Sequence, residues 1–86
     1  NNFVNHLYLI GEKILDEENI SLELLKPLIT ETAEKILKNS PKEMQTGPAV
    51  RKDSKTIEKH LNLLSEHPEF KEIYRMLTQN IQKHHP

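Results

Sequence analysis

The chain has 86 residues and a mass of 10.1 kDa, with 12 Lys+Arg against 13 Asp+Glu, a formal net charge of −1 and a pI near 6.6. That balance argues against a nucleic-acid or membrane-surface binder, which would show a strongly basic face. A mean hydropathy of −0.69 and no long uncharged apolar run exclude a membrane-spanning helix, which needs roughly 18 or more such residues. The absence of Cys removes disulfides, thiolate zinc sites and thiol nucleophiles together.

The opening Asn1-Asn2-Phe3 has no initiating Met and no basic-then-apolar leader, and Phe3 and Val4 already stand inside a helical pattern. The expectation is the interior of a longer polypeptide that resides in the cytoplasm. Phe3, Leu7, Ile10 and Ile14 form one stripe, widened by Val4, Tyr8 and Leu15, and predict a helix over about 1–18. Gly11 continues the Val4–Tyr8 row, either as a point of close backbone approach or as a tolerated helix glycine costing about 1 kcal/mol. Asp16-Glu17-Glu18-Asn19 closes the helix.

Ser21 has the character of an N-cap for a second helix over 21–39, carried by Leu22, Leu25, Ile29, Ala33, Ile36 and Leu37. Pro27 falls inside that pattern and must kink or restart it. Asn39-Ser40-Pro41 stops it. A loop over 40–53 follows, punctuated by Thr46-Gly47-Pro48; connections of about 12 residues are uncommon and often functional. A third helix is predicted over 54–66 through Ile57, Leu61 and Leu64. His67-Pro68 opens a fourth, over 68–83, with Pro at the first helical position and a stripe of Phe70, Ile73, Tyr74, Leu77 and Ile81. The fold class is all-α, a small four-helix bundle-like single domain over 1–86.

Candidate chemistry gathers before and within the third helix. Asp53 reads as its N-cap, accepting backbone N–H groups near Thr56. Arg51 either pairs locally on the surface or anchors a carboxylate or phosphate through its planar fork. His60 reads as a hydrogen-bonded interface histidine or a proton carrier. His6 and His60 could in principle serve a metal-dependent hydrolase fragment, but no two histidines have the i, i+4 spacing of a shared helical face, so no metal site is expected. Asn2 and Asn5 share one helical face, available to another domain. The sequon Asn19-Ile20-Ser21 is discounted for want of any sign of secretion. The run from Arg51 to Lys59 includes Asp53 and Glu58 and no aromatic stacker, so nucleic acid is not an expected partner. No GxGxxG, P-loop or GxSxG motif is present.

The segment Thr46-Gly47-Pro48-Ala49-Val50-Arg51-Lys52-Asp53-Ser54-Lys55-Thr56, followed by His60-Leu61, resembles the T-G-P-x-x-R-G-D-x-x-T-x-x-x-H-L signature of the DUF2520 family. The opening Asn2-Phe3-Val4-Asn5-His6-Leu7 is similar to that family's first helix, and Pro27-Leu28 to a Pro-Leu in its second. Lys52 departs from the signature, which usually has Gly there; a positive φ would strain it. The resemblance implies the helical domain that follows an NAD(P)-binding Rossmann domain, similar in plan to ketopantoate and pyrroline-carboxylate reductases.

On that expectation the chain is the C-terminal substrate-cleft and dimerisation domain of an NAD(P)-dependent oxidoreductase. It would be inactive alone and hold no cofactor, with NAD(P) on the Rossmann domain of the same polypeptide and a second copy as a homodimer partner. Arg51, His60 and Asn2 would face the substrate, and Thr46, Gly47, Pro48, Asp53 and Thr56 would shape the loop. The competing expectation is a stand-alone helical protein–protein interaction module.

Overall fold

Helical periodicity becomes helix throughout. The computed structural model describes residues 1–86 and contains no strand; α1 spans Asn2–Glu17, α2 Lys26–Lys38, α3 Pro41–Met44, α4 Ser54–Leu63 and α5 Pro68–His84, with a 3-10 helix at Leu22–Leu25. The all-helical class expected from the sequence holds. The contacts divide the expected single domain into two units, Asn1–Met44 and Gln45–Pro86, and each is described by itself. No helix is long and apolar enough to cross a membrane.

In the first unit α1 ends in a Schellman arrangement. Asn19 adopts φ +57°, Ile20 N–H donates to Leu15 O at 2.9 Å and Asn19 N–H to Asp16 O at 3.1 Å. Asn tolerates this left-handed position better than a β-branched residue would, and the two bonds satisfy carbonyls the helix leaves open. Ser21 then caps the 3-10 helix, its Oγ accepting from Glu23 N–H at 3.1 Å.

Pro27 explains the first departure from the predicted elements. The segment read as one helix over 21–39 is a 3-10 turn followed by an α-helix that begins at Lys26, so Pro27 falls in a first turn. There the missing N–H has no intrahelical acceptor to lose. Lys35 and Lys38 occupy the last turn of α2, where positive charge suits the carbonyl end. The second departure lies in the expected 40–53 loop, whose start is the single-turn α3. Ser40 Oγ accepts from Glu43 N–H at 3.3 Å, so Pro41 opens a turn as well as closing α2. The third helix stops at Leu63 rather than 66, its C-cap Leu64 followed by Ser65 and His67 N–H bonds back to Asn62 and Leu64.

Burial in this unit is thin. Ile10 is its one buried apolar residue, and Leu22, Leu25 and Ile29 are half-buried, whereas Phe3 is 81% and Leu37 85% exposed. Leu7, Tyr8 and Gly11 face Leu22, Leu25 and Ile29 across an apolar cleft of about 200 Å³. Nothing lies within 4 Å of where a Gly11 side chain would begin, so no backbone of this chain exploits the missing Cβ. In the second unit α4 packs on α5, and Ala49, carried by the loop before α4, is buried.

Candidate functional site

The loop leading into α4 is built from backbone hydrogen bonds. Arg51 N–H donates to Gly47 O at 3.4 Å, Lys52 N–H to Ala49 O at 3.1 Å and Asp53 N–H to Pro48 O at 2.9 Å. Gly47 sits at φ +105°, a region where only glycine is unstrained. Lys52, at the position where the resembling signature usually has Gly, sits at φ +56°, in the left-handed region. The departure at Lys52 therefore leaves the backbone on a glycine-like path, at some cost in strain. Together these turns place Asp53 at the head of α4 and leave Arg51 outside, its side chain 60% exposed.

Asp53 holds the helix entry through both carboxylate oxygens. Oδ1 accepts from Thr56 N–H at 3.2 Å and Oδ2 from Thr56 Oγ1 at 2.7 Å, the cap expected from the sequence. The Thr56 hydroxyl, the Thr56 N–H and the nearby positive charge of Arg51 hold this carboxyl below its ordinary 3.8, with His60 adding to the same effect and partial burial opposing it. The guanidinium of Arg51 approaches Asp53 Oδ2 at 3.8 Å, an ion pair without a hydrogen bond. Most of its donors thus remain available for an anion.

One and two turns into α4 the pattern continues. His60 Nδ1 lies 2.7 Å from Tyr74 Oη on α5, with ring centroids 5.5 Å apart at 83°. Burial raises the Tyr74 phenol above its ordinary 10.0, while a hydrogen bond with the Thr78 side chain pulls the other way. Arg51, Asp53, Thr56, His60, Tyr74 and Thr78 thus form a polar series along the α4–α5 pair. Tyr74, read from sequence as a member of an apolar stripe, is the residue that reading missed. The available signal is chemical: a half-buried phenol requires a partner, and His60 is a ring with a free nitrogen on the preceding helix.

Of the other expected residues, Thr46, Gly47 and Pro48 stand in the same loop; Thr46 is exposed and its carbonyl accepts from Gln45 Nε2 at 3.2 Å. Asn2 is the exposed first residue of α1 and belongs to the first unit. No group of three or more His, Asp or Glu side chains comes together as a metal site would require.

Residues 1–81 match the family described as domain of unknown function DUF2520, and the chain belongs to that family. Its fold matches the crystal structure of a Bacteroides fragilis protein described as a candidate NADP oxidoreductase, with a TM-score of 0.93 and 38% identity over 95% of this chain. The match covers 32% of that protein, so the chain spans about a third of the length of the structure it resembles. No curated protein matches the chain.

Proposed function

We propose that this chain is the C-terminal substrate-cleft and dimerisation domain of a cytoplasmic NAD(P)-dependent oxidoreductase, inactive by itself. The observation that carries the reading is the close likeness to one third of a candidate NADP oxidoreductase. This chain has no strand, and its two glycines lie mid-helix in α1 and in the turn before α4. It thus lacks the strand–glycine loop–helix unit that receives a dinucleotide pyrophosphate. We place the cofactor on an N-terminal Rossmann domain of the same polypeptide, where a bound nicotinamide would supply hydride chemistry. The residues of this chain bind and orient. Arg51 presents an exposed guanidinium to an anionic group, and His60 and Asn2 contribute polar contacts.

Titration with NADPH tests the division of labour. Saturable binding is expected in the polypeptide that carries the preceding domain, and none in these 86 residues. Micromolar binding by this chain alone would overturn it. The exposed Phe3 and Leu37 favour a second reading, a stand-alone helical interaction module. Arg51→Ala in the full polypeptide separates the two. A substrate-facing Arg51 loses a charge-assisted hydrogen bond, and kcat/KM falls by about tenfold or more. An interaction module leaves turnover unchanged.

A further inference from the structure

Gly11 stands in the middle of α1 with helical neighbours on both sides, where glycine is less favourable than alanine. A missing Cβ is useful there when a second backbone approaches closely, and no atom of this chain does so. The position is open instead. It forms part of the wall of the apolar cleft in the first unit, with Leu7 and Tyr8 on its own helix and Leu28 on α2.

The charges of α1 specify what kind of helix could enter. Its first turn has no acid and its last turn no base. The second half and cap carry Glu12, Asp16, Glu17 and Glu18 against the single base Lys13, whereas the first half carries His6 and no acid. Acids at a C-terminal end oppose the macrodipole of their own helix. Lys26, which lines a polar depression together with Asp16, is engaged by Glu23. An antiparallel copy of α1 brings a positive N-terminal end alongside those acids, so the helix complements itself. Along the seam, Val4, Leu7, Tyr8, Gly11, Ile14 and Leu15 carry no charge, and no like charges meet when the surface is set against its own twin.

The exposed area agrees in size. The chain exposes 7017 Å². A compact body of its 10.1 kDa would expose about 5,300 Å², and two separate bodies of half that mass about 6,400 Å² together. The surplus over even the larger figure is several hundred Å², comparable with the share of about 800 Å² that one partner contributes to a standard interface.

We propose that α1 of a second copy of this chain lies antiparallel in the cleft, with the two Gly11 residues meeting at the two-fold axis. This deepens, and rests on, the dimerisation part of the proposed function. In that register Leu7 of one copy runs beside Leu15 of the other, and His6 beside Asp16. The absent Cβ lets the two backbones close to the short end of the interhelical range.

Gly11→Ala tests the contact because its two effects have opposite signs. Alanine fits a helical backbone, and nothing lies within 4 Å of its Cβ, so the monomer should gain thermal stability at concentrations below dissociation. The dimer meets the added methyl twice, and sedimentation equilibrium should show its dissociation constant raised by about tenfold. A nitroxide at Asn2→Cys, in a chain that has no other Cys, reads the orientation. Antiparallel helices crossing at Gly11 separate the two labels by about 25–30 Å, and parallel ones by about 10 Å. A dimer that Gly11→Ala leaves unchanged or tightens would overturn the proposal while sparing dimerisation, as would the short label distance. A wild-type chain that stays monomeric at high concentration would end both.

Discussion

Asp53 combines a structural cap with a charge, and the two can be separated. Its folded-state pKa lies below the ordinary 3.8 because Thr56 donates to both oxygens and Arg51 stands nearby. A depressed carboxyl pKa stabilises the fold at pH values above the ordinary one, and that contribution disappears as pH falls through the depressed value. Asp53→Asn keeps an oxygen for the Thr56 N–H but has no charge to lose. The thermal midpoint of the wild type should therefore fall more steeply than that of the Asn variant below about pH 4. Parallel curves would show that the carboxylate is silent. Backbone strain nearby gives a second pair of outcomes. Gly47→Ala places a Cβ at φ +105° and should destabilise by about 1–2 kcal/mol, though nothing lies within 4 Å of that Cβ. Lys52→Gly relieves a left-handed Lys and should be neutral or stabilising by up to about 1 kcal/mol in chemical denaturation.

At the scale of elements, Pro27 shows how a sequence signal can be strong and still incomplete. The i, i+3, i+7 spacing of Leu22, Leu25 and Ile29 runs through Pro27, so periodicity alone joins two elements that the backbone separates at Lys26. In a first turn Pro27 breaks no hydrogen bond, and Pro27→Ala should change unfolding free energy by less than about 0.5 kcal/mol. A mid-helix proline would instead be relieved by about 3 kcal/mol, and a gain of that size would refute the restart at Lys26. The missed α3 was legible: Ser40-Pro41-Lys42-Glu43 carries a capping-box pattern with Pro at the first helical position, but Pro41 also reads as a stop. Helices and the Asp53 cap were readable because their causes are local, within one turn. The His60–Tyr74 bond joins residues 14 apart on different helices, and no local pattern specifies which face α5 turns toward α4.

For the molecule as a whole, the limiting quantity is buried apolar surface. Ile10 and Ala49 are the only buried apolar residues, while Phe3, Leu28 and Leu37 are 81, 59 and 85% exposed. A chain of this size has little margin when its stripes are left uncovered, and a second copy is a ready source of cover. Leu28 belongs to the lining of the apolar cleft in the first unit, next to half-buried Leu25 and Ile29. If the dimerisation part of the proposed function is right, that side of the unit contributes to the contact. Sedimentation equilibrium of the wild-type chain should then give a dimer, and Leu28→Glu should move it toward monomer by about tenfold or more in dissociation constant, since a carboxylate in an apolar contact must be desolvated without a partner. Because Leu28 is mostly exposed in the single chain, the same substitution should cost the monomer under about 1 kcal/mol, which denaturation at low protein concentration measures. A wild-type chain that stays monomeric at high concentration would end the self-association reading. Dimerisation that Leu28→Glu leaves untouched would place the contact on another face.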